Sequence, residues 1–147
     1  MRAPLLLALA LALGAGPAVA QLFGSSQELL DPEKAFRISA RALDARNVEV
    51  TFQIAEGYYM YRERFSFATE DGQPLKGVEI PHGKVKEDQF FGKQETFRDF
   101  VRIRIPVSAA DATKGSITLK VTSQGCSDKG VCYIPQTQQV KVRLPRS

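Results

Sequence analysis

Apolar and polar residues alternate along most of the chain after its first twenty residues. The alternation is cleanest in three segments, whose apolar positions are Val48, Val50, Phe52 and Ile54, then Val101, Ile103, Ile105 and Val107, then Ile117, Leu119 and Val121. It is weaker from Phe36 to Ala42 and returns from Val140 to Leu144. A period of two places successive side chains on opposite faces of a strand, so each segment predicts a strand with one buried face.

Turn-forming residues separate these segments, as at Glu56-Gly57, Asp71-Gly72, Pro81-His82-Gly83 and Lys114-Gly115. Six to eight short strands in about 115 residues predict an all-β fold, an antiparallel sandwich. No segment after residue 20 sustains a helical stripe. Single helical turns are predicted at 31–36, where Asp31 precedes Pro32, and at 108–112.

The first twenty residues have the pattern of a secretory signal peptide. Arg2 is followed by an apolar run from Leu5 to Leu13 and by a small-residue ending, Ala18-Val19-Ala20. The run is shorter than the roughly 20 residues that span a bilayer. We therefore predict a signal peptide over 1–20, cleavage after Ala20, and one exported domain over 21–147, of which 21–30 form a loosely ordered leader.

The composition excludes several classes of function. The formal net charge is only +4, with acidic residues interspersed, so no nucleic-acid surface is predicted. The single histidine, His82, lies in a predicted turn, and nothing places it near a nucleophile. Two cysteines and one distant histidine are too few for a structural zinc site, and no glycine-rich phosphate loop is present. We predict no metal and no bound cofactor.

The only two cysteines, Cys126 and Cys132, are six positions apart in a segment that also contains Gly130. Such a segment can fold back far enough for a disulfide, which export permits. Two uses stay open: the cysteines form either a redox couple or a permanent structural disulfide that closes a hairpin. Their spacing alone favours the structural disulfide. A domain of this size does not need a disulfide to fold stably, however. Asp128 opposes Lys129 and no helix follows, so no strongly acidic thiol is expected.

Two further segments have both an ordinary and a functional interpretation. Gly57-Tyr58-Tyr59-Met60-Tyr61 is aromatic and predicts a strand that packs into the core. Residues 87–93 form a polar stretch with two adjacent phenylalanines, of which alternation would bury one. This stretch is either an ordinary hairpin with an exposed ring or a loop whose ring covers something from solvent.

Taken together, four blocks resemble the N-terminal periplasmic domain of the thiol:disulfide interchange protein DsbD. The blocks are Leu22-Phe23, residues 57–62, residues 87–93, and residues 124–135 with both cysteines. The order and spacing of the last three blocks make the resemblance specific. It implies an immunoglobulin-like β-sandwich in the periplasm that carries a redox-active cysteine pair.

The resemblance also implies residue roles. Cys132 would form mixed disulfides with partners, and Cys126 would be the resolving thiol. Five residues would form a cap loop, in which the phenylalanine at position 90 shields the cysteines until a partner displaces it: Asp88, Gln89, Phe90, Phe91 and Gly92. Tyr59 and Tyr61 would line the site.

The implied activity is a protein-disulfide reductase-type electron relay. The domain would receive electrons from thioredoxin-like and membrane reductase domains, and pass them to periplasmic thioredoxin-fold proteins, including disulfide isomerases and cytochrome c maturation thioredoxins. We expect a monomer. Gln89, Val131 and Ile134 depart from the family's usual residues, an acid, an aromatic and a proline. The alternatives are a secreted immunoglobulin-like binding module with a structural disulfide and a chaperone for thioredoxin-fold clients.

Overall fold

The computed structural model describes residues 28–146. The predicted signal peptide, its cleavage site and most of the predicted leader lie outside these residues. The described elements are α1 (Pro32–Ala35), β1 (Phe36–Asp44), β2 (Asn47–Ile54), β3 (Tyr58–Tyr61), a 3₁₀ turn (Arg62–Arg64), β4 (Ser66–Thr69), β5 (Lys84–Asp88), β6 (Gly92–Phe97), β7 (Phe100–Pro106), α2 (Ala109–Thr113), β8 (Ser116–Ser123), β9 (Gly125–Ser127), β10 (Val131–Cys132) and β11 (Gln136–Arg143).

The alternating segments form the long strands. The three cleanest become β2, β7 and β8, and the two weaker ones lie in β1 and β11. Both predicted helical turns are confirmed as α1 and α2, and Ser108 caps α2 by accepting the Asp111 amide on its side chain. The expected count of six to eight strands was too low, because the described residues form eleven. The additional strands are mostly two to six residues long and lack a clean alternation.

Two three-stranded sheets enclose the main core. One has the order β1-β2-β7 and the other β11-β8-β4, and every pairing within them is antiparallel. Their apolar positions form one buried cluster that includes Val50, Phe52, Ile103, Leu119 and Val121. The architecture is therefore the predicted all-β class, an immunoglobulin-like antiparallel sandwich.

A third sheet, with the order β10-β9-β3-β6-β5, extends from this sandwich. All four residues of β3 are buried, but they belong to two different clusters. Tyr58 and Met60 pack in the main core, whereas Tyr59 and Tyr61 pack against Cys126. Because strand side chains alternate between faces, β3 joins the core to a second, smaller cluster around the cysteines.

The start of the described chain is attached close to this cluster. The Leu30 amide donates to the Tyr58 hydroxyl at 2.8 Å, and the Tyr133 hydroxyl donates to the Leu30 carbonyl at 2.5 Å. Tyr133 follows Cys132 directly. Across residues 28–146, none of the helices has the length and apolar character needed to cross a membrane.

Candidate redox site

The two cysteines form a disulfide that closes a small hairpin, which we call the cysteine hairpin (Gly125 to Cys132). Its arms are β9 and β10, in which Cys126 lies opposite Cys132 with their Cα atoms 4.0 Å apart. Gly130 adopts a φ of +82°, a conformation that L side chains rarely adopt, and its amide donates to the Ser127 carbonyl. The hairpin therefore depends on a glycine at its turn.

The first arm of the cysteine hairpin is integrated into the sheet. Cys126 pairs with Tyr59 of β3, and Ser127 pairs with Tyr58. Gly125 is needed for this close approach, because an added Cβ would collide with the Phe36 ring and lie 2.7 Å from the Tyr59 carbonyl oxygen. Among the strands of residues 28–146, the second arm, β10, pairs only with β9 and forms an edge of the sheet.

The two sulfur atoms have different environments. Cys126 is completely buried, whereas Cys132 is half-buried. The Tyr61 hydroxyl contacts both, at 3.0 Å from the Cys126 Sγ and 3.4 Å from the Cys132 Sγ. One phenol therefore covers the disulfide from inside, and only the Cys132 side approaches solvent.

Asp88 lies 4% exposed at the end of β5 and connects the site to the loop above it. Its Oδ2 accepts the Tyr59 hydroxyl at 2.6 Å, and its Oδ1 accepts the amides of Phe90 and Phe91 at 2.8 and 3.0 Å. Burial raises the pKa of Asp88, but the bonds from Tyr59 and the loop amides outweigh burial and hold it below its ordinary value. The carboxylate is consequently ionised at neutral pH.

Tyr61 is held as a neutral phenol. Burial raises its pKa well above the ordinary value, and the nearby Tyr59 hydroxyl and Asp88 carboxylate raise it further. Its O–H can therefore donate to a sulfur or accept from a thiol without losing its own proton. The site thus contains a stable hydrogen-bonding group directly on the sulfurs.

The cap loop predicted over Asp88 to Gly92 is the tip of the β5–β6 hairpin, in which Asp88 pairs with Gly92. It lies against the cysteine hairpin, since a Cβ added at Gly130 would be 3.1 Å from the Gln89 Nε2. The Phe91 ring meets the Tyr61 ring edge-on, with centroids 5.2 Å apart. The loop therefore contacts both the hairpin turn and the phenol that touches the sulfurs.

The two loop phenylalanines differ in their contacts. Phe91 is 37% exposed and packs between Tyr61 and the guanidinium of Arg64, which lies 4.3 Å from its centroid. Phe90 is 44% exposed and forms no ring pair or cation–π contact within residues 28–146. The expectation that alternation buries one of the two rings was wrong, because both lie in the loop tip. The shielding role of Phe90 stays a prediction.

The structure thus brings together all the residues for which the resemblance implied a role: both cysteines, Tyr59, Tyr61 and the cap loop. It places His82 elsewhere, with its Nδ1 3.0 Å from a Glu95 carboxylate oxygen. Sequence reasoning missed two cationic side chains that lie over the Tyr59 ring. The Lys86 ammonium lies 3.7 Å from the Tyr59 centroid, and the Arg98 guanidinium lies 5.3 Å from it. No pattern in the sequence marked Lys86, because the residues of β5 do not alternate between apolar and polar.

Exposed apolar side chains flank the accessible cysteine. Val131 is 40% exposed and Ile134 77% exposed, one directly before Cys132 and the other two positions after it. Phe90 and Phe91 are the exposed apolar side chains of the neighbouring cap loop, and Phe91 packs on the tyrosine that touches both sulfurs. Exposed apolar side chains beside a reactive group are typical of a protein-binding site.

Comparisons with known proteins agree on one family. A family model described as "Thiol:disulfide interchange protein DsbD, N-terminal" matches residues 26–144. The chain is 43% identical to a thiol:disulfide interchange protein DsbD of Ralstonia nicotianae, over 80% of this chain and 19% of the relative. It is 39% identical to DsbD 1 of Pseudomonas aeruginosa, over 93% of this chain and 25% of the relative. The chain therefore spans about a fifth to a quarter of the length of these relatives.

Two solved structures from Neisseria meningitidis are similar as well. One is the DsbD N-terminal domain in its reduced form, with a TM-score of 0.68, 35% identity, and coverage of 78% of this chain and 90% of that chain. The other is a complex between the DsbD N-terminal and the PilB N-terminal domains, with a TM-score of 0.63, 35% identity, and coverage of 78% and 87%.

Proposed function

The chain belongs to the family of the N-terminal domain of the thiol:disulfide interchange protein DsbD, and from this we propose that it is a periplasmic electron relay. Thiol:disulfide interchange is the activity of the family, and the Cys126–Cys132 disulfide provides its redox group. The finer proposal is that the domain takes electrons from a thioredoxin-like and membrane reductase module. It would pass them to thioredoxin-fold proteins, including disulfide isomerases and cytochrome c maturation thioredoxins. We propose no cofactor, because the cysteine pair carries both electrons as two thiols and becomes the disulfide when it gives them up.

The unequal burial of the two sulfurs carries this proposal. A partner disulfide can approach Cys132, which is half-buried, but not Cys126, which is completely buried. In the reduced domain the Cys132 thiolate attacks a partner sulfur, which forms a mixed disulfide and releases one partner thiolate. The Cys126 thiolate then attacks the Cys132 Sγ and releases the second partner thiolate. The partner gains two electrons and, on protonation, two thiols, while the domain becomes the disulfide described here.

Tyr61 supports both steps through its neutral hydroxyl. It lies within 3.4 Å of each sulfur, so it can donate to whichever thiolate is present. Its donation stabilises the thiolate, while the ionised Asp88 behind it works in the opposite direction. We expect the exchange rate to depend mainly on access to the sulfurs.

The cap loop supplies this control of access. It rests on the Gly130 turn through Gln89 and on Tyr61 through Phe91. Since the loop amides are fixed to Asp88, we expect the loop to stay closed beside Cys132 until a docking partner displaces it. The exposed Val131 and Ile134 then provide apolar surface for docking. Small oxidants would be excluded from the reduced site, whereas a docking protein would not.

The mode of docking has a parallel in the family. The DsbD N-terminal domain of Neisseria meningitidis has been captured in a complex with the PilB N-terminal domain. This complex supports the proposal that the present chain also binds another protein domain. We propose that the apolar surface around Cys132 is the corresponding face of this chain.

The test combines a reduction potential with a partner assay. The purified protein is equilibrated with glutathione buffers, and its free thiols are quantified. We expect a potential of roughly −270 to −180 mV, between those of thioredoxin and the isomerases. We also expect wild-type protein to reduce a periplasmic disulfide isomerase, Cys132→Ser to abolish this reduction, and Cys126→Ser to accumulate the mixed disulfide.

Other results would contradict the proposal. A potential below about −300 mV would identify a structural disulfide, and the chain would then be a binding module. Reduction of the isomerase by Cys132→Ser at the wild-type rate would refute the assigned roles. Complex formation that persists without either cysteine, and without electron transfer, would favour a chaperone.

A further inference from the structure

Arg98 connects the cysteine hairpin to the rest of the sheet. It lies between β6 and β7, and its Nη1 and Nη2 donate to the two carboxylate oxygens of Asp128 at 2.9 and 2.7 Å. The same Nη1 lies 3.4 Å from the Tyr58 carbonyl oxygen, and the guanidinium lies over the Tyr59 ring. One side chain at the end of β6 therefore crosses β3 and holds the turn between the two cysteines.

The turn of the hairpin is also held from within, by the Lys129 amide on the Ser127 Oγ and the Gly130 amide on the Ser127 carbonyl, each at 3.1 Å. The last backbone bond between its first arm and the sheet is the Asp128 amide on the Gly57 carbonyl, at 2.8 Å. Beyond Asp128 the chain turns through Gly130, and β10 then pairs with β9 alone. The next backbone bond joins the two arms, from the Tyr133 amide to the Gly125 carbonyl at 3.0 Å. The position of Cys132 relative to Cys126 thus depends on the pairing of the two arms and on the turn that begins at Asp128.

The turn that presents Arg98 is itself fixed. Asp99 has a φ of 64°, in the left-handed region that non-glycine residues seldom occupy. Its carbonyl accepts the Ile54 amide at 2.7 Å, which attaches the turn to β2. Such a conformation persists only where the surrounding structure maintains it. The backbone of the turn that carries Arg98 is therefore held in place by the main sandwich.

We propose that Arg98 and Asp128 are positioning residues for disulfide exchange, which hold the two arms of the cysteine hairpin in register so that Cys126 resolves mixed disulfides formed at Cys132. This inference rests on the proposed relay function and deepens it. The pair touches neither sulfur. It acts on the second step, in which the Cys126 thiolate attacks the Cys132 Sγ and the partner thiolate leaves, because that step requires the two arms to meet.

The charges of the pair persist under working conditions. The hydrogen bond from Arg98 holds the pKa of Asp128 below its ordinary value, and Asp128 raises the pKa of Arg98. Both side chains are 44% exposed, so solvent screens their attraction, and the geometry contributes more than the net charge. A planar guanidinium matches both carboxylate oxygens at once, which a lysine ammonium cannot do.

The experiment follows reduced protein as it reacts with oxidised glutathione. In the first step Cys132 attacks glutathione disulfide, which gives a Cys132–glutathione mixed disulfide and one glutathione thiol. In the second step Cys126 displaces the second glutathione thiol. Rapid acid quenching and mass spectrometry measure both rates, and equilibration measures the constant for forming the protein disulfide.

Three variants are compared with the wild type. Arg98→Lys keeps the charge and loses the two-pronged geometry, and Asp128→Asn keeps the shape and loses the charge. Arg41→Lys is the matched control, because Arg41 forms an exposed ion pair with Glu49 at 2.9 Å in the β1–β2–β7 sheet.

We expect Arg98→Lys and Asp128→Asn to slow the second step and to lower the equilibrium constant, each by about three- to tenfold, as for loss of a partly exposed two-pronged ion pair. At 29.6 mV per tenfold, the potential would rise by about 14 to 30 mV. The first step should stay within about twofold of wild type for Arg98→Lys, and Arg41→Lys should change neither step.

Two outcomes would overturn the inference. Wild-type resolution rates in both variants would show that the pair does not position the hairpin. Equal slowing of both steps would indicate general loosening of the site. If Arg98→Lys fails to fold, as judged by circular dichroism, Asp128→Asn decides the question. The inference and the proposed function fail in different assays. The inference fails if the variants do not change the glutathione reaction rates as expected, and these reactions need no partner protein. The relay function fails if the wild type does not reduce an isomerase.

Discussion

Asp88→Asn removes the negative charge that holds the cap loop to the buried tyrosine beneath it, Tyr59. In the wild type, one carboxylate accepts the Tyr59 hydroxyl at 2.6 Å and the amides of Phe90 and Phe91 at 2.8 and 3.0 Å. Asparagine has the same shape but only one carbonyl oxygen. It can keep the two amide bonds through that oxygen, while its nitrogen, a donor, faces Tyr59. The tyrosine hydroxyl must then turn to accept.

The expected magnitude follows from the change in acceptor charge. A hydrogen bond to an ionised group contributes about 1.5–3 kcal/mol, compared with about 0.5–1.5 kcal/mol for a neutral pair. Two amide bonds that each weaken by about 1 kcal/mol make opening of the cap loop about 2 kcal/mol easier, which is about thirtyfold in the open population. Asp88 is only 4% exposed, so solvent screening reduces this value little.

Amide hydrogen exchange, measured by NMR on the oxidised protein, reports the population of the open cap loop directly. In Asp88→Asn the amides of Phe90 and Phe91 should exchange about thirtyfold faster, while amides in the middle of β2 stay nearly unchanged. Glu87→Gln is the matched control, since Glu87 is exposed and lies next to Asp88 on the same strand. Wild-type exchange rates at both loop amides in Asp88→Asn would refute the view that this charge closes the loop.

The same anchoring should depend on pH in the wild-type protein. The native pKa of Asp88 is lower than in the unfolded chain, so its contribution is fully present above the ordinary aspartate pKa of 3.8. It is lost as the pH falls through the lower native value. Protection of the loop amides, corrected for intrinsic exchange, should therefore be constant from pH 7 to about 5 and should decline below about pH 4. Loss of protection between pH 7 and 5 would exclude Asp88 as the group responsible.

Two further predictions concern the rings and the phenol. Tyr61→Phe should lower the reduction potential by about 20 mV, because it removes roughly 1 kcal/mol of hydrogen bonding to the reduced sulfurs. The potential is measured in glutathione buffers. An unchanged potential would show that the hydroxyl stabilises both redox forms equally. Phe91→Ala should speed reduction of the disulfide by a small phosphine about two- to tenfold, the value of one aromatic contact, and by more than Phe90→Ala does. The reverse order would assign the covering role to Phe90.

The strands that alternation predicted are those with one buried face and one exposed face, whereas β3 was predicted only from its aromatic residues. In β2, β7 and β8 the buried residues alternate strictly with partly or fully exposed ones, so a period of two is visible. In β5 the side chains are exposed or half-exposed except at Asp88, and no apolar pattern marks it. In β3 all four residues are buried, because each face meets a different cluster. Neither case alternates, which is why the third sheet was not predicted as a sheet.

Within the site, local chemistry was predictable and long-range pairing was not. The cysteine spacing with Gly130 indicated a hairpin, and the resemblance supplied Tyr59, Tyr61 and the cap loop. Arg98 and Asp128 are thirty positions apart, and each is one charged residue among many. Their pairing depends on β6, β3 and β9 lying side by side, and that order is a property of the folded sheet rather than of any segment.

The roles that we propose for the two cysteines rest on sheet topology more than on thiol acidity. Within residues 28–146, Cys126 is on β9, which has a neighbouring strand on both sides, and Cys132 is on β10, which has one. We expect an incoming partner to approach from the open edge and to meet the edge cysteine first, whichever thiol is the stronger acid. The inner cysteine is held by β3, and β3 also contributes Tyr58 and Met60 to the main core. The sulfur proposed to resolve is therefore held next to the main core, while the sulfur proposed to attack lies on the accessible edge strand. Exchanging the environments of the two cysteines would require a different strand order, which no single substitution provides.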